Sequence, residues 1–190
     1  MRHLAIFALA VLVTACGVTP TAPTSDELAL AADQGSSVLQ TVTGGGRADL
    51  TTFGRGYEGF METYGFTARK TASGQVSGNL HADWSELDGV VMDLDIVCLS
   101  VVGNSAYLGG FVTESSNPVY IPLGLPMAWK VTDNGEGQTD DDRISGLRPV
   151  STPAVCSDPA WQTFFDGKIA QNDTDSPLTA GHVQIVDRAP

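Results

Sequence analysis

Basic residues are scarce in this chain. Its 190 residues include 10 Lys and Arg against 22 Asp and Glu, which gives a formal net charge of −12. Proteins that bind nucleic acid need a basic surface to neutralise phosphates, so nucleic acid is excluded as a partner. Charged residues make up only 17% of the chain and hydrophobic residues 42%, which is too apolar for a disordered protein. The composition therefore predicts one folded, acidic domain.

Histidine and catalytic signatures are also scarce. Beyond the N-terminal region the histidines are His81 and His182, and neither an HExxH motif nor a G-x-S-x-G nucleophile elbow occurs. Residues 54–59 match G-x-G-x-x-G, but no apolar strand precedes them, so we interpret this segment and the glycines at 44–46 as bends and turns. We predict a non-catalytic protein. The alternatives are a surface hydrolase acting on sugars or lipids, and a barrel that carries an apolar ligand.

Long hydrophobic runs are missing except at the N-terminus. After a short basic start, residues 4–13 form an apolar run of about ten residues, which is too short to span a bilayer and typical of a signal peptide. The run ends in a segment that resembles the lipobox of bacterial lipoproteins: Val13, Thr14, Ala15 and Cys16. The resemblance implies that residues 1–15 are a signal peptide and that acylated Cys16 anchors the chain to a membrane. Ordinary cleavage after Ala15 is the alternative.

The residues after Cys16 predict the membrane in which the protein resides and a flexible tether. Asp directly after the lipidated Cys is the usual inner-membrane retention signal, so Gly17 favours the outer membrane of a two-membrane cell envelope. Residues 16–37 are rich in Pro and Thr and predict an extended spacer, with a short helix at 25–32. The expected partners are the membrane, through the lipid, and an envelope protein or glycan.

A sustained helical period of apolar residues is absent from residues 38–190. Short apolar stretches separated by Gly, Asn, Asp and Pro predict strands at 65–71, 75–83, 90–102, 106–113, 119–123, 127–132, 143–147 and 181–187. Gly103-Asn104 and Asn134-Gly135 are strong turn signals. We therefore predict a single all-β domain, an antiparallel β-sandwich or small barrel of about 8–10 strands. Trp84, Trp129 and Trp161 are expected to pack into or cap its core.

Cysteine is rare, with three residues in the chain. Cys16 is assigned to the anchor, and export would place Cys98 and Cys156 in an oxidising compartment. Two remaining thiols in an exported chain most simply form a disulfide, and this bond would fix the irregular region around Cys156 to a strand. The alternative is two separate buried thiols.

The densest acidic stretch runs from residue 133 to residue 142. Its carboxylates and flexible glycines could wrap a calcium ion, which takes six to eight oxygen ligands; the candidates are Asp133, Glu136, Asp140 and Asp142. The spacing matches neither an EF-hand nor a nonapeptide repeat. We therefore favour a solvated acidic loop and no cofactor, with calcium as the alternative.

Several short motifs occur in an order that resembles the post-COAP domain, a small bacterial β domain. They are the glycines at 44–46, Tyr64-Gly65-Phe66, the strand ending in Cys98, the Gly103-Asn104 turn, the acidic turn at 133–136 and the final strand at 181–185. The sequence departs from the family at Gly137, where the family has Pro, and in a longer segment at 150–179. The resemblance implies an all-β fold attached to exported proteins and implies no activity. The sequence thus predicts a non-catalytic cell-envelope lipoprotein with a binding or structural module.

Overall fold

The computed structural model describes residues 37–49, 61–84, 89–135, 142–172 and 175–189, and the structural statements below concern these residues. They form nine strands, one 3₁₀ helix and one α-helix. The strands are β1 (Val38–Asp49), β2 (Met61–Thr71), β3 (Val76–Trp84), β4 (Val90–Val102), β5 (Ser105–Ser115), β6 (Pro126–Thr132), β7 (Arg143–Ser145), β8 (Arg148–Pro149) and β9 (Asp175–Asp187). The 3₁₀ helix (Pro153–Ser157) and helix α1 (Pro159–Asn172) lie between β8 and β9.

The strands form one antiparallel sheet that closes on itself. Each strand from β1 to β6 pairs with the next one in sequence, and β9 pairs with both β7 and β1. Short β8 adds to β6 outside this ring. The predicted all-β antiparallel fold is confirmed, and of the two architectures left open it is an up-and-down barrel.

Alternation along each strand separates the barrel interior from the outside. On β4 the side chains of Met92, Leu94 and Ile96 are buried, whereas Asp95 between them is exposed. The same alternation on the other strands fills the interior with large apolar groups, including Leu80, Leu99, Leu108, Met127, Trp129 and Ile144. Hydrophobic burial on this scale is the main stabilising term of such a fold.

A register shift in β4 reverses the alternation. Ile96 pairs with Gly110 and Cys98 with Gly109, so the intervening Val97 is an extra residue and the strand bulges. Beyond the bulge Leu99 belongs to the interior core, while Cys98 joins a second cluster on the outside. Cys98 and Ile96 therefore lie on opposite faces of the sheet, although regular alternation along a strand would place them on the same face.

The glycines at 44–46 lie within strand β1, so their interpretation as a turn is wrong. A Cβ on Gly44 would come within 2.6 Å of the Phe66 ring, on the residue that pairs with it across the sheet. A Cβ on Gly46 would collide with the backbone of Ala180 in β9. These glycines are needed because an aromatic ring and a neighbouring strand come close to β1.

The predicted strand at residues 119–123 is wrong. These residues form a turn, because the amides of Tyr120 and Ile121 both donate to the Asn117 carbonyl and the adjacent prolines cannot donate to a ladder.

Helix α1 was not predicted from the sequence. Its start carries a signal, since Asp158 accepts a hydrogen bond from the Ala160 amide and Pro159 is the first helical residue.

The two ends of the described chain meet at one end of the barrel. The Arg188 amide donates to the Leu39 carbonyl at 2.8 Å, where β9 ends beside the start of β1. We call this the tether end, because residues 16–37 precede β1. In the described part of the chain, no helix has the length and apolar character needed to cross a bilayer. The predicted signal peptide, Cys16 and the tether up to residue 36 lie outside the described residues.

Candidate functional site

Glu62 is a carboxylate inside the barrel. It alternates with Tyr64, Phe66 and Ala68 on the buried face of β2 and is 0% exposed. Neither of its side-chain oxygens has a hydrogen-bond partner. Burial raises the pKa of Glu62 to about 7, because a charged carboxylate is poorly stabilised away from water, and the nearby indole N–H of Trp84 opposes that rise.

Two more polar atoms without partners lie on the neighbouring inward positions. The Tyr64 hydroxyl and the Trp84 indole nitrogen are buried and make no hydrogen bond. Burial, followed by the charges of Glu62 and Asp142, raises the pKa of Tyr64 well above its ordinary value. We call the region formed by Glu62, Tyr64 and Trp84 the Glu62 end of the barrel, since Glu62 lies near the start of β2 and Trp84 ends β3.

The residues beside this region are small or aromatic. Glu62 pairs with Ala48 of β1, and Tyr64 pairs with Ala82 of β3. The Tyr64 and Phe66 rings are stacked with centroids 6.3 Å apart. Sheet register therefore places the Glu62 carboxylate opposite a short side chain and on the same strand face as Tyr64.

The sequence analysis did not find these three residues as a site. The signal was present in the alternation of β2, where Glu62 occupies the same parity as Tyr64, Phe66 and Ala68. A carboxylate on an apolar strand face is rare enough to be a candidate for function, because burying it unpaired is costly.

The acidic stretch contains a different arrangement, which we call the seam. Strand β7 is short, so β9 continues beyond it and its amides need other acceptors. Asp142, only 2% exposed, accepts from the Val183 amide at 2.6 Å through one oxygen and from the Asn134 amide at 2.8 Å through the other. Asp133 accepts from the Ile185 amide at 2.8 Å and the Gly135 amide at 3.0 Å.

The seam gives two of the four calcium candidates a structural role. The side chains of Asp133 and Asp142 take the place of a neighbouring strand for alternate amides of β9, which helps to close the barrel. Glu136 and Asp140, the other two candidates, lie outside the described residues. Among the residues that are described, no group of three or more His, Cys, Asp or Glu side chains is placed to hold a metal ion. The calcium alternative stays a prediction.

A shallow groove lies beside the seam at the tether end. Its volume is about 440 Å³, and its lining consists of Gly103, Asn104, Asp133, Asn134, Gly135, Ile185 and Asp187. The Asn104 side chain donates to the Asn134 side chain at 3.0 Å, and the Asp133 amide donates to the Asn104 carbonyl. These bonds hold the two predicted turns against each other.

Cys98 and Cys156 form a disulfide, as predicted, with Cα atoms 6.1 Å apart. The bond joins β4 to the 3₁₀ helix and lies in a second apolar cluster, outside the barrel, with Tyr107 and Phe165. A Cβ on Gly109, opposite Cys98, would collide with the backbone of Pro153. Glycine at this position thus lets the 3₁₀ helix lie directly on the sheet.

Helix α1 covers the same cluster. Trp161 stacks on Phe165 with ring centroids 4.6 Å apart, at the i, i+4 spacing that places two side chains on one helix face. Tyr107 donates to Asp166 at 2.7 Å, and Lys130 donates to the same carboxylate at 3.0 Å. Burial and the bond to Asp166 raise the pKa of Tyr107. The prediction for the tryptophans is therefore met in two ways: Trp129 lies in the interior core and Trp161 packs against the outer cluster.

The histidine of β3, His81, faces outwards. The His81 Nδ1 and Asp93 Oδ1 atoms are 2.8 Å apart on paired residues of β3 and β4, and both side chains are about half exposed, at 51% and 42%. The contact orients the imidazole and leaves its other nitrogen available to solvent-borne groups.

No protein-family model matches this chain, and no curated protein or solved structure matches it either. The resemblances to the lipobox and to the post-COAP domain therefore stay predictions, and function has to be argued from the geometry above.

Proposed function

We propose that this protein is a non-catalytic cell-envelope lipoprotein, whose barrel is a binding or structural module attached to the membrane through acylated Cys16. The observation that carries the proposal is the Cys98–Cys156 disulfide. Disulfides form and persist outside the reducing cytosol, so this bond supports export, which is also what the apolar run at 4–13 and Cys16 predict from the sequence.

The position of the tether supports a barrel whose opposite end, the Glu62 end, faces away from the membrane and towards a partner. Residues 16–37 connect to β1 at the tether end, which leaves the Glu62 end at the opposite ends of β1 and β2. The lipid would supply the membrane attachment, because a net charge of −12 disfavours contact between the protein surface and anionic lipids. An envelope protein or a glycan is then the expected partner of the barrel.

The packed interior gives little support to the alternative in which the barrel carries an apolar ligand. The side chains of Trp129, Leu80, Met92 and Leu108 are fully buried inside the ring of strands. Barrels that carry a large apolar ligand leave their interior open, so this packing supports a module whose contacts are made at an end or on the outside.

The hydrolase alternative has one specific observation in its favour, the contact between His81 and Asp93. A carboxylate that orients an imidazole is one part of a nucleophilic triad, and a hydroxyl nucleophile at the other ring nitrogen would be the missing part. Turnover of chromogenic esters or glycosides that is lost in His81→Ala would favour a hydrolase. An equal rate in the variant would assign any such turnover to a contaminant.

The anchor is tested by growing cells with labelled palmitate. We expect the label in the wild-type protein and its loss in Cys16→Ala, with Cys98→Ala as a matched control that keeps the label. Equal labelling of wild type and Cys16→Ala would refute the lipid anchor. Alkylation of the purified protein without reductant tests export, because Cys98 and Cys156 should be protected until the disulfide is reduced.

The membrane of residence is tested with Gly17→Asp. In a two-membrane bacterium we expect the wild-type protein in the outer-membrane fraction of a density gradient and the variant in the inner-membrane fraction. The matched control, Gly17→Ser, should behave as wild type. Co-fractionation of all three proteins with the inner membrane would contradict this assignment.

A further inference from the structure

We propose that the Glu62 end of the barrel binds a small organic ammonium ion, with the Glu62 carboxylate as its counter-ion and the surrounding aromatic rings as its walls. The proposal goes beyond the envelope function, and it holds whether or not Cys16 carries a lipid.

The first argument is the charge inside the barrel. Among the residues that the structure describes, the buried acidic side chains are Glu62 and Asp142, and no Lys, Arg or His is buried with them. Asp142 is compensated by two backbone amides, whereas the two Glu62 oxygens have no partner. A buried carboxylate in this condition is stabilised by any cation that reaches it, and the described part of the chain places no buried cation there.

The second argument is the chemistry of the walls. Tyr64 follows Glu62 on the inward face of β2, its ring stacks on Phe66, and the indole of Trp84 lies on the adjacent strand near the carboxylate. The faces of aromatic rings attract cations, and a carboxylate with several rings is the usual protein environment for an ammonium group. The Tyr64 hydroxyl has no partner and can accept a hydrogen bond from the same group.

Other ligand classes fit these residues less well. An anion would meet the charges of Glu62 and Asp142 in a low-dielectric interior. A divalent metal ion needs several oxygen or nitrogen ligands, and the described residues bring no group of three such side chains together. A neutral polyol would satisfy hydrogen bonds but would leave the carboxylate without a counter-charge. An organic monocation with a short apolar part would neutralise the Glu62 carboxylate and pack against the aromatic side chains.

The experiment titrates the purified mature chain with ethyl-, hexyl- and benzylammonium and follows tryptophan fluorescence and melting temperature. Hexanol and benzyl alcohol are the uncharged control ligands. We expect at least one ammonium ion to bind saturably and to raise the melting temperature, since a ligand of the native state stabilises it. We expect its alcohol counterpart to bind at least tenfold more weakly.

Variants locate the site. Glu62→Gln should weaken ammonium binding at least tenfold, whereas Glu114→Gln, which removes the same charge from an exposed position on β5, should leave it unchanged. Should Glu62→Gln fail to fold, Tyr64→Phe serves in its place and should weaken binding several-fold. Unchanged affinity in a folded Glu62→Gln protein would overturn the proposal.

Proton release gives a second measurement on the wild-type protein. Binding of a cation favours the charged form of Glu62, so calorimetric titrations in two buffers of different ionisation heat should reveal proton release near pH 7. Saturable binding without proton release would place the cation elsewhere and would overturn the proposal. So would the absence of saturable binding for all three ammonium ions.

Discussion

Two buried carboxylates in the same barrel differ in their hydrogen bonding to the surrounding backbone. Asp142 lies in the seam, and each of its oxygens accepts a backbone amide that has no strand partner. Glu62 lies at the Glu62 end, where it pairs with Ala48 of β1 and neither of its side-chain oxygens accepts a hydrogen bond. The acidic residue of the seam thus takes the place of a missing strand partner, whereas the carboxylate at the Glu62 end has no hydrogen bond to offset its burial.

The largest effect is expected at the seam. Asp142→Ala removes the acceptor of the buried Val183 amide and of the Asn134 amide, which should cost about 4 kcal/mol of unfolding free energy, since hydrogen bonds to a charged group contribute roughly 1.5–3 kcal/mol each. Urea unfolding near pH 7 measures it. Asp95→Ala, on the exposed face of β4, is the control and should change stability by less than about 0.5 kcal/mol. A loss below about 1 kcal/mol for Asp142→Ala would show that the seam does not depend on this carboxylate.

Removal of the disulfide is expected to have the next largest effect. The bond closes a loop with a sequence separation of 58. The chain-entropy account gives about 4 kcal/mol for such a loop and measured values are often smaller, so we expect a loss of about 3 kcal/mol in Cys98→Ala/Cys156→Ala. Because the bond lies outside the barrel, the pH dependence of stability should stay as in the wild type. A changed pH dependence would mean that the outer cluster and the Glu62 end are coupled.

A gain of stability is expected at the Glu62 end. The folded protein holds the Glu62 proton more tightly than the unfolded chain, because burial raises the pKa from an ordinary value of 4.5 to about 7 in the fold. The contribution of this group is therefore greatest below pH 4.5 and is lost as pH rises through about 7, which amounts to about 3 kcal/mol at most.

Glu62→Gln should remove this loss. At about pH 8 the variant should be more stable than wild type by about 2 kcal/mol, less than the full amount because a buried amide without partners has its own cost. At about pH 4 the two proteins should have nearly equal stability. Chemical unfolding across this pH range checks the prediction, and Glu114→Gln is the exposed control. Parallel stability curves for wild type and Glu62→Gln would contradict it.

The smallest effect is expected for Tyr64→Phe. The change removes a buried hydroxyl that has no hydrogen-bond partner, so stability should be unchanged or should rise by up to about 1 kcal/mol. Tyr107→Phe is the matched control, and it should lower stability by about 1 kcal/mol because that hydroxyl donates to Asp166. Equal losses in both variants would show that the Tyr64 hydroxyl has a partner in solution.

The sequence was sufficient for the fold class because strand alternation and turn residues are local. The strand at Val90–Val102 was predicted with its observed bounds, and the Gly103-Asn104 turn joins β4 to β5 as expected. Closure into a barrel could not be predicted, because it depends on the pairing of β5 with β6 and of β9 with β1, and these contacts leave no pattern within one strand.

The errors have physical reasons of their own. Strand β1 was missed because consecutive glycines usually mark turns, and only the position of the Phe66 ring explains Gly44 in a strand. Helix α1 was missed because its sequence shows no sustained apolar period, although the Asp158-Pro159 start was visible. At the candidate site, composition identified the acidic stretch but not Glu62, since one carboxylate among alternating residues stands out only after the buried face of β2 is known.

The hydrogen bond between Arg188 and Leu39 has a consequence for protein engineering. Since the first and last strands are neighbours in a ring, a short linker could join them and the polypeptide could be reopened elsewhere as a circular permutant. The Gly103-Asn104 turn is a suitable new terminus, because it is exposed and connects two long paired strands. Such a rearranged protein would begin at β5, still at the tether end, whereas an opening between β5 and β6 would place both termini at the Glu62 end.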